Sequence, residues 1–142
     1  MTIAAILGHQ DRDVITVDGT MKVSAVVQLL AERRIGAVPV VRDGTVDGII
    51  SERDILYRLA REGAAILDRQ ASEVMTTPAI TVTSDLPIMS ALGLMTKRRI
   101  RHLPVVQDDR LIGFVSIGDL VKIRIDRIEA EAVAMRDYIQ NA

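Results

Sequence analysis

Two heptapeptides hold the residue types in this chain best suited to chemistry. Gly48-Ile49-Ile50-Ser51-Glu52-Arg53-Asp54 recurs as Gly113-Phe114-Val115-Ser116-Ile117-Gly118-Asp119. A serine that ends a strand and opens a helix can cap that helix, and the free N–H groups of a helix N-terminus form an anion site. The helix dipole favours an aspartate three residues on, and its two oxygens can accept both hydroxyls of a vicinal diol such as ribose. Serine and aspartate at this spacing suit half of a nucleoside-phosphate site. They equally suit a structural role, with Ser51 and Ser116 as N-caps and Asp54 and Asp119 as their capping partners. Both readings stand at this point.

A second group is Arg98-Arg99-Ile100-Arg101-His102-Leu103-Pro104. Guanidinium groups match phosphate oxygens with a two-pronged donor. Arg98 and Arg99 also fit as cations that complement a helix C-terminus and face water. Arg101 and His102, just before the next strand, lie nearer any ligand in a cleft. The first copy has Gly36 and Ala37 there instead, so the second site is expected to suit phosphate and the first to be more open. His9 and His102 have no carboxylate or histidine partner at metal spacing, so no metal is required.

These groups need a scaffold. The chain has 142 residues, 49% hydrophobic and 26% charged, which suits a soluble globular protein. Aromatic residues make up only 2% (Phe114, Tyr57, Tyr138), so the core must be aliphatic. That scarcity argues against single-strand nucleic-acid binding, which stacks bases on aromatic rings. A formal net charge of −1 supplies no field for DNA or an anionic membrane. With no cysteine, thiolate catalysis, disulfides and cysteine-based zinc sites are excluded. No secretory signal opens the sequence and no apolar stretch approaches a bilayer span, so a cytoplasmic location is expected.

The repeat organises the chain. Ile15-Thr16-Val17 returns as Ile80-Thr81-Val82 at an offset of 65 residues. Arg33-Arg34-Ile35 and Pro39-Val40-Val41 return at the same offset as Arg98-Arg99-Ile100 and Pro104-Val105-Val106. Each unit reads β-α-β-β-α. In the first, Val14 to Val17 is a strand, Asp18-Gly19-Thr20 a turn ending in an N-cap, and Met21 to Arg34 a helix by the spacing of Val23, Val26, Val27 and Leu30. Val38 to Val41 and Val46 to Ile50 are strands joined by the Asp43-Gly44 turn, and Glu52 to Glu62 is a helix. In the second unit Asp85 takes the cap position, Pro87 sits in the first helical turn, and the strands are Ile80–Val82, Leu103–Val106 and Leu111–Val115. Neither unit buries enough surface alone, so the expected fold is α+β, two repeats packed with pseudo-twofold symmetry. Residues 6–62 form the first repeat, 63–78 a linker that begins helical and ends extended before Pro78, and 79–125 the second repeat.

With G-x-x-S-x-x-D after each third strand, Met75-Thr76-Thr77-Pro78 before the second copy and Leu103-Pro104-Val105-Val106, the chain resembles a tandem CBS (cystathionine beta-synthase) domain pair, or Bateman module, of the stand-alone bacterial type. The resemblance implies a ligand containing adenine in the cleft between the repeats: AMP first, with ADP, ATP, NAD(H) or S-adenosylmethionine as alternatives. It implies that Asp54 and Asp119 hold ribose and that Ser51 and Ser116 lie by the phosphates, with Arg53 between them in the motif. Arg101 and His102 would meet phosphate at the second site. Ile15-Thr16 and Ile80-Thr81 would line the adenine pocket with Ala37, Pro39 and Pro104. Gly36 departs from the family's frequent basic or polar residue at that point.

From Asp119 one helical pattern runs to about Gln140. Val121, Ile125, Ile128, Ala132, Met135 and Ile139 are spaced four, three, four, three, four, a heptad-like seam. Residues 126–142 thus form a helical extension whose seam either folds back or pairs with a second chain, and a homodimer is expected. The functional expectation is a sensor that acts in trans on a separate effector protein. No nucleophile with a base, no metal-spaced carboxylate pair and no P-loop points to an enzyme. A dimerisation unit without a ligand is the alternative.

Overall fold

The structure is a computed structural model and describes residues 1–8 and 13–142; His9 lies outside the described residues. Its elements are α1 (Ile3–Leu7), β1 (Val17–Asp18), α2 (Val23–Arg33), β2 (Ala37–Arg42), β3 (Thr45–Ser51), α3 (Glu52–Glu62), a 3-10 turn (Gly63–Asp68), α4 (Ala71–Val74), α5 (Ile88–Arg98), β4 (His102–Gln107), β5 (Arg110–Ser116) and α6 (Ile117–Gln140). The β2–β3 and β4–β5 hairpins share one register, Ala37 opposite Ser51 and His102 opposite Ser116, with a bulge at Val40/Val41 and again at Val105/Val106. Asp43 and Gly44, at φ 51° and 81°, turn the first hairpin as the dipeptide demands.

The first strand of each unit is shorter than expected. Only Val17 and Asp18 pair with β2, in parallel, and in the second unit the pairing shrinks to one bridge between Val82 and Val105. The Asp18 carboxylate accepts hydrogen bonds from the Thr20 N–H and hydroxyl, both at 2.7 Å, and this turn ends the strand. Thr20 and Asp85 therefore do not cap the helices. Lys22 and Pro87 hold the cap positions without a side-chain bond. Backbone carbonyls substitute: the Val23 N–H donates to Arg69 at 2.8 Å and the Ile88 N–H to Met1 at 3.1 Å.

Those two bonds expose a reciprocal exchange. α4, which leads into the second unit, docks on the first: Ala71 N–H donates to Met21 and Ser72 N–H to Gly19. α1, which leads into the first unit, docks on the second by the matching bonds from Ile3 to Leu86 and Ala4 to Ser84. Ile66, Ala71 and Val74 accordingly lie in the first core, while Ile3 and Ile6 lie in the second with Leu103, Val105, Val115 and Leu120. Residues 63–78 are thus not a free linker, and Ile6 belongs with the second repeat, not the first. Ile3 corresponds to Ala71 at an offset of 68 rather than 65, so the segment between α1 and β1 is three residues longer than its counterpart.

The glycine of each motif permits this exchange. A Cβ on Gly48 would stand 2.6 Å from the Thr76 carbonyl oxygen and 2.7 Å from Met75 Sδ, and one on Gly113 would strike Leu7. The lead-in segment crosses the hairpin there, and Ile49 and Thr76 exchange backbone hydrogen bonds of 3.0 and 2.8 Å. Among the described residues no buried side chain is polar or charged. Nor, among those residues, is any helix long and apolar enough to cross a membrane.

Candidate functional site

A cleft of about 340 Å³ opens between the units, within the size range of small-molecule sites. The first unit contributes Gly36, Ile49, Ser51 and the opening turn of α3. The second contributes the end of α5 and the start of β4, and the lead-in chain crosses between them at Thr76 and Pro78 to Ile80.

On the first-unit side, Ser51 and Asp54 form a reciprocal cap. Asp54 Oδ2 accepts from the Ser51 N–H and hydroxyl, both at 2.8 Å, while the Asp54 N–H donates to Ser51 Oγ at 3.2 Å. This fixes the carboxylate plane and leaves Oδ1 free of the cap. Oδ1 instead accepts from the Thr76 hydroxyl at 2.8 Å. The structural role and an acceptor role thus coexist on one side chain, with one oxygen for each. A ligand hydroxyl reaching Oδ1 would take the place of the Thr76 donor. Ser116 and Asp119 repeat the cap, at 2.9 and 3.1 Å.

On the second-unit side, Arg99 ends α5 in the left-handed conformation at φ 54°, where glycine is the usual residue. This carries its side chain into the cleft lining beside Arg101 and His102. Arg53 on α3 also lines the cleft, so three arginines share this lining with Glu52 and Asp54. His102 is half-buried and stacks on Phe114, ring centres 5.5 Å apart at an angle of 13°. Burial pushes its pKa below the ordinary value; Asp119 and Glu52 pull it back up, and Arg101 adds to the depression. A Cβ on Gly36 would lie 3.2 Å from Glu52 Oε1 and 3.8 Å from His102 Cε1, so this glycine stands where the two units' polar side chains approach.

Of the residues singled out in the sequence, the cleft gathers Ser51, Arg53, Asp54, Ile80, Arg101 and His102. The others lie elsewhere. Ala37, Pro39 and Pro104 are buried, because both faces of β2 and β4 are covered. Ile15 packs on the first core, Thr81 is exposed, and Thr16 borders a separate shallow hollow with Val41 and Leu111. Ser116 and Asp119 cap α6 outside this lining. Arg101 and His102 line the cleft with Ser51 and Asp54 of the other unit and also adjoin their own unit's helix start, where His102 pairs with Ser116 across the hairpin and the Arg101 carbonyl accepts from the Ile117 N–H at 2.8 Å. The sequence reading missed Glu52, Thr76, Pro78, Ala79 and Ile100, and gave Arg99 to solvent. Thr76 and Pro78 were visible in the Met75-Thr76-Thr77-Pro78 motif, and Glu52 and Ile100 lay inside the two groups quoted for their neighbours; nothing local marked Ala79. Among the described residues no three histidine or carboxylate groups converge as a metal site would need.

The geometry has a counterpart in known proteins. The family model for the CBS domain matches twice, over residues 7–61 and 71–126. The chain belongs to the CBS domain family. A mitochondrial CBS domain-containing protein of Arabidopsis thaliana, CBSX3, is 36% identical over 119 residues, 80% of this chain and 58% of that protein; the chain thus spans little more than half of that relative. The crystal structure of the CBS-domain protein ATU1752 from Agrobacterium tumefaciens superposes with a TM-score of 0.82 at 36% identity, covering 87% of this chain and 92% of that one. The CBS domain pair of MJ0100, solved with 5′-methylthioadenosine and S-adenosyl-L-methionine, superposes with a TM-score of 0.78 at 26% identity, covering 89% and 98%. The CBS pair and its long C-terminal helix are therefore common ground between the sequence reading and the structure.

Proposed function

We propose that this CBS pair is a sensor rather than an enzyme, binding a phosphorylated adenine nucleotide, AMP-like in size, in the cleft between its units and acting in trans on an effector. One observation carries the reading: the Ser51–Asp54 cap of one unit and Arg99, Arg101 and His102 of the other line one cleft together with the aliphatic Ile49, Ile80 and Ile100. An adenine ring fits the aliphatic floor, a ribose diol fits Asp54 Oδ1, and phosphate fits the guanidinium cluster. The complex of MJ0100 with adenosine-containing ligands supports the ligand class. The cations favour a phosphorylated ligand over S-adenosylmethionine, whose sulfonium would meet like charge. Regulation follows if binding shifts the angle between the units, because ligand shifts an equilibrium only by its differential affinity for two states.

Titration calorimetry of the full chain with AMP, ADP, ATP, NADH and S-adenosylmethionine tests this. Binding of at least one phosphorylated ligand, stronger than that of S-adenosylmethionine, is expected. Silence from all five at millimolar concentration would leave the ligand-free dimerisation role as the better account.

A further inference from the structure

α6 enters the molecule by one face and leaves another uncovered. Leu120 is fully buried in the second core and Ile123 packs against it. In the heptad set by the seam, these are positions c and f, opposite the a and d positions. The seam therefore points away from the module it grows from, and folding back is not what the chain does. Ile125, Ala132 and Ile139 stand at a and Val121, Ile128 and Met135 at d, all exposed: Ile128 by 48%, Met135 by 60% and Ile139 by 65%. Residues 127–140 extend α6 beyond the CBS match without glycine or proline. A stretch of that length is marginal as a lone helix in water.

The flanking charges name the occupant. Positions e hold Lys122, Glu129 and Arg136, and positions g hold Arg124, Glu131 and Tyr138. In a parallel pair of identical helices each g residue meets the e residue five positions on in its partner. Arg124 then faces Glu129 and Glu131 faces Arg136, opposite signs at both levels. In an antiparallel pair e meets e and g meets g, which sets Glu129 near Glu129 or Lys122 near Arg136. We propose that α6 pairs with α6 of a second copy of this chain as a parallel two-stranded coiled coil in register. The proposal does not depend on the ligand reading. It places two modules on the same end of one stalk, with the a/d seam as the interface.

Sedimentation velocity on the full chain at 50–100 µM tests it. The wild type should run at twice the chain mass. Ile128→Asp should run as a monomer with unchanged thermal unfolding of the module, since Ile128 is 48% exposed and belongs to neither buried core. Arg124→Glu should weaken the dimer at least tenfold, and Arg124→Glu with Glu129→Arg should restore it. The chain has no cysteine, so Ile139→Cys gives a clean report on orientation: oxidation should link two copies, because only a parallel pair brings residue 139 within disulfide reach of itself. A monomeric wild type, a dimer that survives Ile128→Asp, or Ile139→Cys that fails to cross-link would each overturn the proposal.

Discussion

The duplication supplies its own control for the ligand site. Asp54 and Asp119 cap equivalent helices by equivalent bonds, yet only Asp54 lines the cleft and accepts from Thr76. Asp119→Ala loses its half of the capping box, the bond from the Ser116 N–H, about 1 kcal/mol. Asp54→Ala loses the same cap plus hydrogen bonds from the Ser51 hydroxyl and the Thr76 hydroxyl, each about 1 kcal/mol. The expected destabilisation is therefore about 3 kcal/mol against about 1, read as urea-unfolding midpoints with unchanged slopes. Binding separates them further. A ribose diol on an ionised carboxylate makes charge-assisted bonds, and losing them costs about 2 kcal/mol, roughly thirty-fold in Kd. Asp54→Asn keeps an oxygen for the cap while removing the charge, so it should fold nearly as wild type and still lose most of that affinity. Calorimetry with AMP on the three variants reads the ranking. If Asp119→Ala weakens binding as much as Asp54→Asn, the ligand does not sit where the cleft places it.

Four further outcomes follow from the structure. The folded-state pKa of His102 lies below its unfolded value, so the unfolded chain binds more protons in that interval; stability should rise with pH up to about 6.5 and then level. A phosphate beside His102 favours the imidazolium, so AMP binding should take up protons near neutral pH, and calorimetry in buffers of different ionisation enthalpy should show that uptake reduced in His102→Ala; equal uptake would remove His102 from the phosphate subsite. Gly48→Ala should cost about 3 kcal/mol, from overpacking against Thr76 and Met75 and strain on the Ile49–Thr76 bonds, whereas Gly93→Ala, with nothing near its Cβ, should stabilise α5 by about 1 kcal/mol; similar effects at both would contradict the crossing described. Arg34→Gly relieves a left-handed arginine at φ 53° and should raise stability by about 1 kcal/mol, about 3 °C in Tm; a fall would show that the Arg34 side chain makes a stabilising contact.

The sequence alone determined the duplicated β-α-β-β-α unit and both hairpins, and it offered the two Ser–Asp caps as one of two readings. These are set by local rules: β-branched runs, a turn dipeptide with positive φ, and a hydroxyl three residues before a carboxylate. It also determined the extended α6, since apolar residues at alternating spacings of three and four need no tertiary partner to be seen. Tertiary structure decided which unit each lead-in helix joins. Ile3–Leu7 and Ala71–Val74 each precede their own repeat in sequence, and only packing reveals that each completes the other repeat's core, with the Met1 and Arg69 carbonyls just before them accepting from the Ile88 and Val23 N–H groups. It also decided the composition of the cleft. Thr76 meets Asp54, and Arg99 joins Arg101 and His102 opposite Ser51, because the pseudo-twofold seam juxtaposes segments with no sequence proximity. Ala37, Pro39 and Pro104 carry pocket-like residue types but vanish into the sheets, since burial on both faces follows from what covers a strand and not from the strand's own residues.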